Sequence, residues 1–336
     1  MAIDSPRTLS ARSRYIIKPF AIVALCSLAS AAISACSSSG NPPTTHQSDR
    51  TERSATRASQ RVRPAGAPRR RFPAYPQLLG AATGAAPTNF VPAVRWRGQI
   101  AGWVARRANV ALLSFDQRVV GMRLHSGTID AGTLGWRWGP AISGSERRLV
   151  VAAFNGGFKL DTSSGGFESY GRTAVPLTAG LGSIVTYADG YTDIGSWYQG
   201  VPAPGKSVLS VRQNLRLLIA QGRPDATIGC RTCWGPTLGG TDDPARSALG
   251  ITADGRLVWV GGEHLTVAAL TDALLAARVL RAVELDINPE WVAGYLYGHG
   301  GGRGPLAPVP VVAGQPGVPG QFLVPYGRDF FTVVAR

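Results

Sequence analysis

Five residues of one short run have the types and spacing to do chemistry together. In AVELDINPEW, Ala282 to Trp291, the chain sets Glu284, Asp286, Asn288, Glu290 and Trp291 around an Asn-Pro turn. Apolar Val283, Leu285 and Ile287 alternate with Ala282, Glu284 and Asp286, the period of a half-buried strand. Pro289 offers no backbone donor, so the strand is expected to stop near Asn288. Residues two apart on a strand share a face roughly 7 Å apart, within the separations that paired glycosidase carboxylates require. Glu284 is read here as lying on a wet strand face. Asp286 is the working carboxylate, as a general acid or base or as the holder of a divalent cation, and Glu290 the second carboxylate. Asn288 would bind substrate, and Trp291 would be a stacking platform for a sugar.

Two further stretches put polar groups beside tight turns. In AAFNGGF a strand delivers Asn155 to Gly156 and Gly157, where missing side chains would let a ligand approach the backbone. The Asn155 amide both donates and accepts, which suits sugar hydroxyls or phosphate oxygens; the plain alternative is a turn asparagine. In ARSALGI, Arg246 precedes an apolar strand and has the fork geometry for a phosphate, or else is simply solvated.

Other chemistries are harder to build. The chain has four His, which is thin for a histidine metal centre; His125, His264 and His299 are read as surface or hydrogen-bonded residues. No G-x-S-x-G, H-E-x-x-H or phosphate-loop signature occurs, and GHGGGRG, around Gly300, lacks the dinucleotide spacing, which favours a mobile loop over an anion cradle. Cys230 and Cys233 form one C-x-x-C, at most half of a four-Cys zinc site. A local disulfide is favoured there over a redox centre.

The elements that must position these residues are mostly short strands. Val110 to Gly127 reads as two paired strands. Arg147 to Phe158 reads as a buried strand ending at the Gly-Gly turn, and hairpins fold around Asp189-Gly190 and Asp254-Gly255. SVLSVRQNLRLLIAQG is a strand plus its return, and RDFFTVVAR a closing strand to which no chemistry is assigned. One helix is expected from Thr266, its N-cap, to about Leu280, with Val267, Leu270, Leu274 and Ala277 on its apolar face. This order predicts an α+β fold with mixed or antiparallel sheets and few helices, in a single globular domain.

That domain is assigned to residues 93–336. Residues 1–36 carry Arg7, Arg12, Arg14 and Lys18, a short apolar run and then ISAC, a lipoprotein-type export signal with Cys36 as the lipidated residue. An uncleaved membrane helix is the alternative, although the run falls short of the roughly 20 residues a span needs. Residues 37–92 are rich in Ser, Pro and Arg and read as a disordered basic tether. Of the net charge of +15, the stretch up to Arg71 holds 12 Lys and Arg against 3 Asp and Glu. The basic balance therefore belongs mostly to signal and tether. It points to an anionic lipid surface or an acidic wall polymer, not to nucleic acid.

The order NGGF, then ARSALGITADGRLVWVGG, then LTVAALTDALLAARVLRAVELD resembles the phosphodiester glycosidase family, in an actinobacterial-type lipoprotein variant. Asn155, Arg246, Asp254-Gly255 and Asp286 stand at the matching positions, over about Val150 to Asp286. The resemblance implies an exported, membrane-anchored hydrolase that cleaves a glycosyl phosphodiester in an envelope polymer or glycoconjugate. Asp286 would be its acid or base, and Arg246 and Asn155 would hold phosphate or hydroxyls. The family's glycine triplet and serine after Leu-Asp are replaced here by INPEW, which implies a changed substrate or lost catalysis. The second expectation is accordingly a non-catalytic glycan or wall-polymer binder using Trp291, Trp234 and Trp259. Phosphodiesterase chemistry at phosphorus would want more metal ligands than the chain offers.

Overall fold

The computed structural model describes residues 72–80, 89–133, 135–235, 240–302 and 304–336. The residues read as an export signal, Cys36 and most of those read as a tether lie outside the described residues. Three antiparallel sheets make up the fold. The nine-stranded sheet runs, from edge to edge, β1 (Gln77–Leu78), β2 (Val91–Trp96), β3 (Gln99–Arg107), β4 (Val110–Phe115), β15 (Leu257–Gly262), β14 (Arg246–Thr252), β16 (Val279–Glu284), β12 (Leu217–Ala220) and β13 (Arg223–Pro224). One five-stranded sheet is β10 (Thr192–Ser196), β9 (Gly182–Tyr187), β11 (Val208–Gln213), β7 (Phe167–Ser169) and β8 (Arg172–Val175). The other is β18 (Ala307–Pro310), β17 (Gly294–Gly298), β6 (Val150–Asn155), β19 (Phe330–Ala335) and β5 (Val120–His125). Every ladder between these strands is antiparallel. The α+β expectation holds at this level, with the mixed option removed.

Both expected hairpins form, β9–β10 and β14–β15. Gly255 takes φ +78° at the second turn, a conformation that suits glycine. Two expected pairings do not form. β4 pairs with β3 and β15, whereas β5 pairs with β19, because the turn closed by Val119 N–H to Asp116 O passes the chain from one sheet to another. Likewise β11 and β12 lie in different sheets. Alternating burial marks a strand but carries no information about its partner.

The helix, α1 (Val267–Ala276), starts as expected: Thr266 Oγ1 accepts from Ala269 N–H at 3.1 Å. It stops short of Leu280, because Arg278 turns into the left-handed region and Val279 already begins β16. Val267, Leu270 and Leu274 are buried against the nine-stranded sheet with Val258, Val260 and Ala282. The main core joins all three sheets through Leu249, Trp259, Val283, Phe154, Phe331 and Phe167. Trp259 is fully buried, its ring centre 5.7 Å from that of Phe154. A Cβ at Gly261 or Gly294 would meet its indole at 2.5 or 2.6 Å. Trp259 is thus a core plug rather than a sugar platform. Trp234, also fully buried, donates its indole N–H to Thr227 O at 3.0 Å, and the same correction applies.

The folded part also begins earlier than residue 93. β1 pairs with Val94 and Arg95 of β2, and Tyr75 stacks on His299 with centroids 5.9 Å apart.

Candidate active site

Six chain segments converge where the sheets meet. β16 ends at Glu284, four residues before the expected stop at Asn288. The chain then leaves its ladder, with Asp286 N–H donating to Gly156 O at 3.0 Å. β6 ends at Asn155, whose Nδ2 donates to Ser247 Oγ at 2.9 Å, and Ser247 Oγ–H in turn donates to Asp286 O at 2.9 Å. Asn155 therefore braces the backbone of Asp286 through a strand-end serine.

The acidic side chains are held by buried arginines. Arg328 Nη2 donates to Asp286 Oδ2 at 2.8 Å, and its Nη1 pairs with Asp130. Asn288 N–H closes a turn onto Asp286 Oδ1 at 3.0 Å. Arg212 grips Asp329 with two donors, at 2.8 and 3.1 Å. Arg246 Nη1 donates to Glu284 Oε1 at 2.7 Å and to Trp234 O at 3.2 Å, and its Nε donates to Leu265 O at 2.9 Å. Four carboxyls thus face three guanidiniums. Burial pushes Glu284 up to about 8 against the pull of Arg246, and one of its oxygens has no hydrogen-bond partner. Burial likewise raises Asp286 and Asp130, against the opposing charge of Arg328 in each case. Glu284, at about 8, is the carboxyl of this cluster that keeps its proton near neutral pH.

Beside this cluster lies a cleft of about 480 Å³. Asp286, Asn288 and Trp291 form part of its wall, with Phe158, Lys159 and Ser164 among the facing groups. The guanidinium of Arg328 lies 5.5 Å from the Trp291 ring centre, so one aromatic face is already occupied. Cys233 lines the same cleft, and its sulfur is bonded to that of Cys230, the local disulfide.

The sequence-selected residues divide into those that reach the cleft and those that do not. Asp286, Asn288 and Trp291 reach it. Asn155 and Arg246 stand behind it as buried braces, so Arg246 has no free fork for a phosphate. Gly156 and Gly157 are bare because side chains of the protein, not a ligand, press on them. A Cβ at Gly156 would meet Asp329 Oδ2 at 2.1 Å, and one at Gly157 would meet Arg212 at 2.8 Å. Glu284, expected on a wet face, is fully buried. Glu290 is exposed on the turn and does not line the cleft, which removes it as the second carboxylate of this wall.

The histidines stay apart from the cluster. His125 bonds to Gly139 O and Glu146, His299 bonds to Val150 O, and His264 is exposed. Among the described residues no three His, Cys, Asp or Glu side chains are grouped to hold a metal ion, and both Asp286 oxygens are engaged by donors. A divalent cation on Asp286 does not fit this arrangement. Sequence reasoning missed Arg328, Asp329, Asp130, Arg212 and Lys159. Only the first two carried a signal: like Arg246 at the start of β14, they are charges placed at the mouth of an apolar strand.

No protein-family model and no curated protein matches the chain. Among solved structures it is similar to the zebrafish N-acetylglucosamine-1-phosphodiester alpha-N-acetylglucosaminidase catalytic domain, auto-inhibited by its pro-peptide. The identity is 15%, over 75% of this chain and 87% of that one, with a TM-score of 0.44. It is also similar to a hypothetical protein from Synechocystis, at 14% identity over 74% of this chain and 61% of that one, with a TM-score of 0.39. Both are distant structural resemblances.

Proposed function

We propose that the chain is a hydrolase that cleaves a sugar from a phosphodiester by attack of water at the anomeric carbon. The observation that carries this reading is the placement of Asp286: a carboxyl on the wall of a ligand-sized cleft, oriented by Arg328 and by its own turn, inside a cluster with more carboxyls than cations. The order of strand-end motifs, similar to that of the phosphodiester glycosidases, supplies the substrate class. In the proposed step the water oxygen bonds to C1 while the C1–O bond to phosphate breaks with its electron pair. Asp286 takes the proton from the water. Its burial raises its basicity above that of a surface aspartate, and the phosphate departs without needing protonation, so one carboxylate suffices. Glu290 is not required.

The same proposal places the chain outside the cytoplasm, tethered to a membrane by a lipid on Cys36, on the strength of the basic, apolar and ISAC segments. A glycan or sugar phosphate of the envelope is then its substrate. A second reading, a glycan binder without catalysis, is favoured by the single carboxylate on the wall and by Trp291 beside it.

The test uses the full-length chain with sugar 1-phosphodiesters in oxygen-18 water. Label is expected on the released sugar, with turnover reduced about 10²–10⁴-fold in Asp286→Asn. Label on phosphate, or full turnover in that variant, would overturn the assignment.

A further inference from the structure

The cluster around Asp286 is a poor place to bring a second negative charge. Asp286 and Asp130 share one guanidinium, and the remaining two arginines are each committed to a carboxylate of their own. Any anionic ligand in the cleft needs a cation that these pairs do not consume. Lys159 lines the cleft, and its ammonium has no ion pair or hydrogen bond among the described residues.

Its position on the chain is braced from both sides. Before it, Phe158 O accepts from Arg212 and Phe158 N–H donates to Asn214 Oδ1 at 3.2 Å, both partners being buried. After it, Thr162 returns both its N–H and its hydroxyl to Lys159 O, at 3.1 and 2.6 Å. Thr162 Oγ1 also meets Ser164 Oγ at 2.8 Å. The backbone of Lys159 is therefore held before any ligand arrives, which lowers the ordering cost of using a flexible cation. The root of this brace, Arg212, is the same arginine that grips Asp329 beside the Asp286 cluster.

We propose that Lys159 forms the anion subsite of the Asp286 cleft and selects ligands in which a sugar carries a phosphoryl group over neutral glycans. This deepens the proposed function and rests on its choice of cleft. Lys159 binds the phosphoryl oxygens, Asp286 faces the anomeric carbon, and Arg246 takes no part in either contact.

The test measures equilibrium binding of inorganic phosphate, glucose 1-phosphate and glucose to the full-length chain and to Lys159→Gln, Lys159→Arg and Asp286→Asn, with KM and kcat wherever a phosphodiester turns over. Affinity for the two phosphate probes is expected to fall about tenfold to a hundredfold in Lys159→Gln, to recover largely in Lys159→Arg, and to survive in Asp286→Asn. Glucose binding should not change. In turnover the loss should appear in KM. Unchanged phosphate affinity in Lys159→Gln would overturn the subsite even if Asp286→Asn abolished hydrolysis. Lys159-dependent phosphate binding without turnover of any phosphodiester would leave the subsite standing and overturn the hydrolase reading. Glucose bound as tightly as glucose 1-phosphate would overturn the selectivity. Lys159 is exposed, so the melting temperatures of its variants are expected to match the parent.

Discussion

At the scale of residues, Glu284 shows how burial reverses a reading made from alternation. The pattern of β16 puts Glu284 on the face opposite Val283, and that face faces Arg246 instead of water. Its pKa is raised from 4.5 to about 8, mainly by burial, so the folded chain holds the proton more tightly than the unfolded chain does. The sign follows: this contribution to stability is complete below about pH 4.5 and is lost as the pH climbs through 8. Urea unfolding at pH 5, 7 and 9 is expected to show the parent losing stability across that span, with Glu284→Gln showing a shallower decline. Equal slopes would mean that Glu284 stays ionised beside Arg246. Arg246→Ala is expected to cost about 3–5 kcal/mol in the same assay, because it empties a fully buried site and leaves Glu284, Trp234 O and Leu265 O without their donor.

At the scale of elements, the site depends on strand ends from different sheets meeting at fixed distances. β6, β14 and β16 deliver Asn155, Ser247 and Asp286 into one hydrogen-bond chain, and the residues just before β19 deliver Arg328 and Asp329. Gly156 is where these ends pass closest. Its Cβ position coincides with the Asp329 carboxylate, and its φ lies outside the left-handed region, so the constraint is space and not backbone conformation. Gly156→Ala is therefore expected to cost about 3 kcal/mol or more in denaturant unfolding, since Asp329 must move away from Arg212. Gly139→Ala, where nothing lies within 4 Å, should stay within about 0.5 kcal/mol. Similar costs at both positions would show that the β6 end is loosely packed.

At the scale of the whole molecule, the segment read from sequence as the end of a tether belongs partly to the fold. β1 covers the edge of the nine-stranded sheet at β2, Phe72 packs at Gly98, and Tyr75 stacks on His299. A chain starting at Ala93 would lose these contacts and the first residues of β2, leaving β3 with a broken partner at the sheet edge. Relative to a chain starting at residue 72, it is expected to lose about 2 kcal/mol or more by urea unfolding and to aggregate more readily. Equal midpoints would make residues 72–92 dispensable.

The order of turns, strands and one capped helix was legible in the chain, because alternation, a Thr cap and Asp-Gly turns act over a few residues. That Asp286, Asn288 and Trp291 lie together was legible for the same reason: one strand end and one turn carry all three, and all three line the cleft. The partners of β4, β5 and β12 were not legible, nor were Arg328 and Arg212 as the holders of the acidic cluster. Each of those depends on which sheet a strand joins, and hence on contacts between residues far apart in sequence. Arg246 marks the boundary between the two kinds of knowledge. Its place at a strand mouth was visible in the sequence. That its guanidinium is spent on Glu284, leaving Lys159 as the cleft's free cation among the described residues, was decided only when three sheets packed around it.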